Sequence, residues 1–491
     1  MSRNVFVFSN TPLWDIHYAE AVEIALNRNS RGDKVYFYQC RGELLGCPAN
    51  PNREESKCVS CIEKSSYVIE KALPFAQIVT FENWSQQEPP DTIFESGTDS
   101  LEHLESLHLG GLPIGGLVAS QVADDTSDGL FDPSDYQTRI RKLLDTGYRL
   151  FSCAKDFFSQ QQIDVAYVWN GRRVADGPVV YAAKVLGREF RTFISGPTLG
   201  TYIEPRSLTV QAMDYQKAGL ANLKESVAEN PDVRDLVIER GNHFFTNQRS
   251  GSNYGLGLYN FSESFADSFS PGTSKPVLSI FPSCGWEKTG QDEFRNGVYD
   301  SEYDALEILL EKLSMLSQFE VVVRWHPNLR KVEGNERARI KNIHSKFLED
   351  AQFIEPSSSI STYSLIEHSE LVVTFGSTVG VEACYYGKPS ICIGPAIYDG
   401  LAVAHFPKTS LDVEDAILNY ENLGVGDYMD ALIYGAFISN LGSKEFKFLA
   451  LSNGNFFYEN RPLSKPKLGV QSLFTLRWLK NLWYLIRMRA F

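Results

Sequence analysis

Short apolar blocks separated by polar turns recur along this chain, and they resolve into strands and helices in alternation. Val5 to Ser9, Lys34 to Gln39 and Ile163 to Trp169 are brief runs rich in β-branched and aromatic residues, the composition of strands covered on both faces. His17 to Asn27 places its apolar residues at helical spacing, and Tyr136 to Cys153, Lys155 to Gln162 and Pro178 to Leu186 also read as helices. Arg188 to Ile194 is a further strand. A second series begins with strand Val277 to Pro282, continues through helix Ala305 to Ser317 and strand Val321 to Asn328, and ends with strands Leu371 to Phe375 and Ser390 to Ile393 around a short helix from Val381. Strand–helix alternation of this kind predicts parallel sheets with helices on both faces, an α/β fold. Between the two series, Ser207 to Arg249 is helical and polar, and Asn253 to Lys275 is rich in Gly, Ser, Asn and Phe. The expected division is therefore 1–268, 269–445 and a C-terminal segment 446–491. Leu109 to Leu117, with four glycines, is expected to be a flexible linker strand.

Size and charge narrow the picture. At 491 residues the chain suits two domains rather than one core. A net charge of −14 argues against nucleic acid as a bulk partner. No run reaches the roughly 18 apolar residues of a membrane span, and no basic stretch precedes the first apolar one, so a cytoplasmic protein is expected. The last 28 residues differ from the rest. Ser464 to Phe491 carries Lys465, Lys467, Arg477, Lys480, Arg487 and Arg489 with no acid, and Leu, Trp and Ile recur there at helical spacing. That is the pattern of a basic amphipathic helix on an anionic membrane surface, or of a helix docking back on the first domain.

Candidate chemistry gathers at predicted strand ends. After Leu371 to Phe375 come Gly376, Ser377, Thr378 and Gly380, a turn of small residues that aims backbone N–H groups and two hydroxyls at a ligand above a helix start, where phosphate is the natural guest. Glu382 lies one turn in, placed to accept from ribose hydroxyls. Val321 to Val323 leads into Arg324, His326 and Asn328, again at a strand's carboxyl end. Glu287 and Lys288 lie in a glycine-containing loop after Val277 to Pro282. The first domain lacks a G-x-G-x-x-G fingerprint and is not expected to bind a dinucleotide. Asp15, His17 and Glu20 follow its first strand, placed either to face a cleft or simply to stabilise a helix start. Asn170 and Arg172 follow Ile163 to Trp169 in an Asn-Gly-Arg turn. Four of the eight cysteines, Cys40, Cys47, Cys58 and Cys61, fall in a C-x6-C-x10-C-x2-C pattern. That count suits a structural zinc site, with an iron–sulfur cluster or four free thiols as the alternatives.

The run R-W-H-P-N, followed by S-S-I-S-T-Y-S-L-I-E-H-S-E-L-V-V-T-F-G-S-T-V-G-V-E-A and G-K-P, resembles the C-terminal domain of GT-B glycosyltransferases of the bacterial capsule and surface-polysaccharide type, a group that includes polyol-phosphate polymerases. The resemblance covers Pro276 to Pro407 and implies a GT-B-like fold, two Rossmann-type domains facing a cleft. It implies that Arg324, His326, Asn328, Gly376, Ser377, Thr378, Gly380 and Glu382 hold a nucleotide-sugar donor. It also implies an acceptor-activating base in the first domain, among Asp15, His17 and Glu20, and an acceptor-side role for Asn170 and Arg172. The expected acceptor is a lipid-linked or growing glycan, with the protein peripheral on the inner face of the plasma membrane. No D-x-D clamp is evident, so no obligatory catalytic metal is expected. Phosphotransfer from a CDP-polyol, a non-catalytic scaffold of a polysaccharide-assembly complex and an epimerase of related fold are the competing functions.

Overall fold

Strands β1 (Asn4–Phe8), β2 (Lys34–Tyr38), β3 (Gln77–Val79), β4 (Val165–Trp169) and β5 (Glu189–Ser195) form a parallel sheet in the order β3-β2-β1-β4-β5. The short β6 (Thr201–Ile203) joins its edge antiparallel. In the second half, β7 (Val277–Phe281), β8 (Glu320–Arg324), β9 (Ala351–Ile354), β10 (Ser369–Thr374) and β11 (Ser390–Cys392) form another parallel sheet, ordered β9-β8-β7-β10-β11. The two sheets share one topology, with β1 and β7 as the central first strands. This is the two-Rossmann-domain architecture expected of a GT-B fold. The structure, a computed structural model, describes residues 2–81, 83–95, 99–250, 267–295, 297–440, 442–452 and 455–463. The C-terminal basic segment 464–491 lies outside the described residues.

The pleat explains why these runs are strands. Val5, Val7, Val35, Phe37, Val165 and Tyr167 point to one face, where helix Asp15–Ser30 covers them. Phe6, Phe8, Tyr36, Tyr38, Ala166 and Val168 point to the other, under helices Ile114–Thr126, Gln137–Gln160 and Gly177–Val185. Both faces are dry, so continuous apolar runs replace simple alternation.

Three segments differ from the sequence reading. Residues 109–117 are no linker strand: Ile114 opens a helix that is buried through Ala123. Its glycines serve close packing. A Cβ on Gly115 would lie 1.7 Å from the Leu104 carbonyl oxygen, and one on Gly116 would lie 2.8 Å from that of Gly290 in the other domain. Helices Met213–Glu229 and Pro231–Ser250 pack against the second domain, through Leu220, Val237, Phe244 and Phe245 on Val381, Tyr398 and Leu432. The change of packing partner thus falls well before the 268–269 border expected from composition, because the apolar positions of these polar helices match the second domain's surface.

The chain also returns to the first domain before residue 463, as strands. Lys444–Glu445 pairs antiparallel with β6, and the hairpin of Leu449–Ser452 and Asn455–Tyr458 packs on helix Asp15–Ser30. Glu23, fully buried on that helix, anchors the return. Its carboxylate accepts from the N–H groups of Lys447 (2.7 Å), Phe448 (3.1 Å) and Leu449 (3.0 Å). Glu23→Ala would strip all three of their acceptor, at a cost on the order of 1–3 kcal/mol. We expect a lower thermal midpoint and proteolytic cleavage after residue 440 while the two parallel sheets stay resistant; an unchanged digestion pattern would show that the return is held by other contacts.

Candidate functional site

In each sheet the loops of the first and fourth strands leave in opposite directions, opening a crevice between β1 and β4 and between β7 and β10. Ligands of parallel α/β sheets bind at such switch points. Most residues singled out from the sequence lie at these two places.

In the second domain Arg324 ends β8 and is 3% exposed. Burial pulls its guanidinium down to about 10, which still leaves it charged at neutral pH. His326 caps the turn Pro327–Lys331, and its Nδ1 accepts from the Asn328 N–H at 3.2 Å. Nε2 therefore carries the proton of the neutral ring and is a donor. Burial lowers His326 to about 4, so the ring is neutral through the physiological range. Asn328 turns its amide onto Glu287 Oε1 at 2.8 Å and so positions a neighbouring loop.

At the end of β10, Gly376 has φ +82°, and a Cβ there would lie 2.4 Å from the Pro395 carbonyl oxygen. Only glycine turns the chain here. Thr378 begins helix Val379–Tyr385 without capping it by its side chain, and the Ser377 hydroxyl takes the Val379 N–H at 3.4 Å. Among the described residues no protein acceptor meets the N–H of Ser377 or Thr378. Gly380 makes room for Tyr398, whose hydroxyl donates to the Ser377 carbonyl at 2.6 Å and fixes the turn. Glu382 is 6% exposed and accepts from the Thr378 hydroxyl at 3.2 Å; burial pushes its carboxyl from the ordinary 4.5 up to about 7.

Lys288 bridges the crevice. Its ammonium donates to the Phe375 carbonyl at 3.0 Å, to Glu302 Oε2 at 3.0 Å and to the Ser283 hydroxyl, and Glu302 also takes the Ser283 N–H. Glu302 gave no signal in the sequence, since an acid in a helix's first turn usually serves the helix alone.

In the first domain His17 and Glu20 come together and Asp15 does not join them. Glu20 is fully buried, its Oε2 is 3.4 Å from His17 Nδ1, and Ser195 at the end of β5 donates its hydroxyl to Oε1. The His17 ring packs against Trp169, 4.9 Å between centroids, and Trp14. Asp15 faces outward to pair with Lys64. Asn170, at φ +60°, spends its side chain on the Arg172 N–H, 3.2 Å away within its own turn. Arg172 is held in a two-oxygen pair by Asp124 (2.6 and 2.5 Å) and donates to the Glu287 carbonyl of the other domain at 2.7 Å. Arg173, which sequence reasoning passed over, shares Asp124 at 2.6 Å and lies over the Trp14 and Trp169 rings. Its neighbour Arg172 had the same one-letter signal, so only the fold separates them.

The four cysteines are free and half-buried. The Gly42 N–H donates to Cys40 Sγ at 3.3 Å, and the Asn50 side chain to Cys58 Sγ at 3.3 Å. Burial first, and the neighbouring thiols next, raise Cys61 to about 12. Among the described residues no group of three or more His, Cys, Asp or Glu side chains converges closely enough to hold a metal ion.

Residues 294–406 match the family described as capsule polysaccharide biosynthesis protein. The matched stretch includes β8, β10 and both motifs at their ends, and covers less than a quarter of the chain. No curated protein matches the chain. Solved structures of similar fold include KpsC of Thermosulfurimonas dismutans, a beta Kdo 2,7 transferase, at 14% identity over 62% of this chain and 86% of that one, with a TM-score of 0.36. MnaA of S. aureus in complex with UDP is similar at 10% identity over 89% of this chain and 94% of that one, with a TM-score of 0.28.

Glu382 gives a pH-dependent expectation. Its folded-state value lies above its unfolded one, so the folded form holds the proton more tightly and loses stability as pH rises from 4.5 through 7. Above pH 7 the buried carboxylate costs on the order of 3 kcal/mol relative to its protonated form. Glu382→Gln, which imitates the protonated acid, is expected to melt near the parent at pH 5 and clearly above it at pH 8.5. An equal offset at both values would show that the carboxyl does not titrate in this window.

Proposed function

We propose that the chain is a glycosyltransferase of capsule or related surface-polysaccharide biosynthesis that takes its sugar from a nucleotide-linked donor. The observation that carries this reading is the donor-shaped edge of the second sheet: a charged Arg324, a neutral His326 with Nε2–H free to donate, and the N–H groups of Ser377 and Thr378. All of these favour an anion. A departing nucleoside phosphate gains negative charge in the transition state, and preorganised donors in a crevice stabilise it without reorganising. The Lys288 ammonium, paired with the Glu302 carboxylate and donating to the Phe375 carbonyl, ties the two strand ends together.

In the first domain His17 is the proposed base. Glu20 faces Nδ1 and favours the tautomer that keeps a proton there, which leaves Nε2 to accept one from an acceptor hydroxyl. The Trp14 and Trp169 rings beside it supply apolar faces on which a sugar ring packs well. A lipid-linked or growing glycan is the proposed acceptor, and the basic segment 464–491 is the proposed means of staying near a membrane.

The test is calorimetric titration of the full chain with CMP, CDP, UDP, GDP and ADP, beside His326→Ala. One nucleotide is expected to bind at micromolar strength, with at least about tenfold loss, 1.4 kcal/mol, in the variant. A cytidine preference with phosphate retained in the product would move the reaction to CDP-polyol phosphotransfer. Failure of every nucleotide to bind would sink the donor site and leave a scaffold.

A further inference from the structure

Away from the two switch points, the domains are joined by an exchange of capping groups. Helix Gly334–Lys346 of the second domain starts at Glu333, whose side chain caps nothing. Its first N–H groups are satisfied from the first domain. Asp128 Oδ2 accepts from the Asn335 N–H at 2.7 Å, and Oδ1 from the Glu336 N–H at 3.0 Å. Glu336 answers in the opposite direction, its Oε2 accepting from the Gly129 N–H at 2.6 Å, while within its own domain Oε1 accepts from the Gly285 N–H at 3.0 Å and the Tyr303 hydroxyl at 2.5 Å. A capping box has this reciprocity within one helix, between the cap residue and the third helical residue. Here the cap residue belongs to another domain, 208 positions away. The Glu333 N–H to the Ser127 carbonyl, 3.0 Å, and the Asn335 side chain to the Leu130 carbonyl, 3.1 Å, complete it.

Glycines set the approach. Gly334 has φ +57°, and a Cβ on it would lie 1.9 Å from Asp128 Oδ2; a Cβ on Gly129 would lie 2.7 Å from the Trp286 nitrogen. Asp128 and Glu336 are 2% and 0% exposed, so both carboxylates depend on these donors in place of water. Other polar groups lie along the same contact. Glu105 accepts from the Gly290 N–H at 2.8 Å and pairs with Arg295 at 2.9 Å, while Ser120 Oγ, Arg172 Nε, Trp286 Nε1 and Gln291 Oε1 are buried with no hydrogen-bond partner among the described residues. The contact therefore combines the Asp128–Glu336 exchange with a polar surface that water would reach on separation.

We propose that the Asp128–Glu336 exchange is a latch that holds the two domains together, and that its release lets them part and uncovers this polar surface, Arg172 included. The inference does not depend on the reaction proposed above.

Small-angle scattering and amide hydrogen exchange on the full chain test it. A compact chain of this length has a radius of gyration of about 23 Å. Asp128→Ala is expected to enlarge it and to speed exchange, on the order of tenfold, at Gly129, whose N–H is held across the contact by Glu336 and not by Asp128. Asp128→Asn keeps an acceptor oxygen and is expected to stay closer to the parent. Faster exchange confined to Leu130, Asn335 and Glu336, whose N–H groups Asp128 itself takes, in a chain of unchanged size, would overturn the latch and leave a local cap. Gly334→Ala decides the matter if Asp128→Ala fails to fold. It removes no hydrogen-bonding group and drives a methyl into the Asp128 carboxylate, so a compact Gly334→Ala chain with a slow Gly129 amide would also overturn it.

Discussion

A parallel sheet cannot choose where its carboxyl edge goes: every strand delivers its last carbonyl and the following loop to the same side. Where neighbouring loops turn opposite ways, the chain itself cannot cover the gap. This chain builds that situation twice, at β1/β4 and at β7/β10, with the same strand order. The consequences are local and chemical. Phe8 and Trp169 end in the turns that carry Asn10 and Asn170, and Phe281 and Thr374 end in those that carry Ser283 and Ser377. Polar groups are stationed there because nothing apolar is available to cover the edge, and Lys288 spans one of the two gaps by donating across it.

The two edges differ in their electrostatics. The second-domain edge presents a buried guanidinium and backbone N–H groups beside the paired Lys288 and Glu302, while its histidine is held neutral and the buried carboxyl of Glu382 is pushed up to about 7. It is an edge for an anion. The first-domain edge is mixed: two arginines share Asp124, and a buried Glu20 stands behind His17. Mixed polarity beside two tryptophan rings suits hydroxyl-bearing groups better than phosphate. Charge thus separates the proposed donor edge from the proposed acceptor edge without reference to any relative.

Much of the second domain was legible in the chain because its signals are local. Val321 to Arg324 and Leu371 to Thr374 are apolar runs that can only be covered strands, and Gly376 announces a backbone conformation that only glycine tolerates without strain. What sequence could not give was pairing at a distance. Nothing marks Glu302 as the partner of Lys288, 14 positions away, or Asp128 as the cap of a helix that begins at 334. The glycines of 109–117 misled for the same reason. Their small size answers to Leu104 and Gly290, which lie elsewhere in the chain, so a close-packed helix looked like a flexible linker. Asp15 and His17 were indistinguishable one-dimensionally, and the helix turn between them decides which faces Trp169 and which faces solvent.

Arg172 shows how domain contact and site chemistry compete for one group. Its Nη1 and Nη2 are committed to the Glu287 carbonyl and to Asp124, and its Nε is buried with no acceptor among the described residues. A guanidinium so placed serves the interface with part of its donors and leaves one unsatisfied. The missing acceptor must come from outside the described side chains, or the residue must move. Either way the interdomain contact is not a finished core. A polar surface of this kind suits the opening proposed for the glycine-set, carboxylate-capped contact between Asp128 and Glu336.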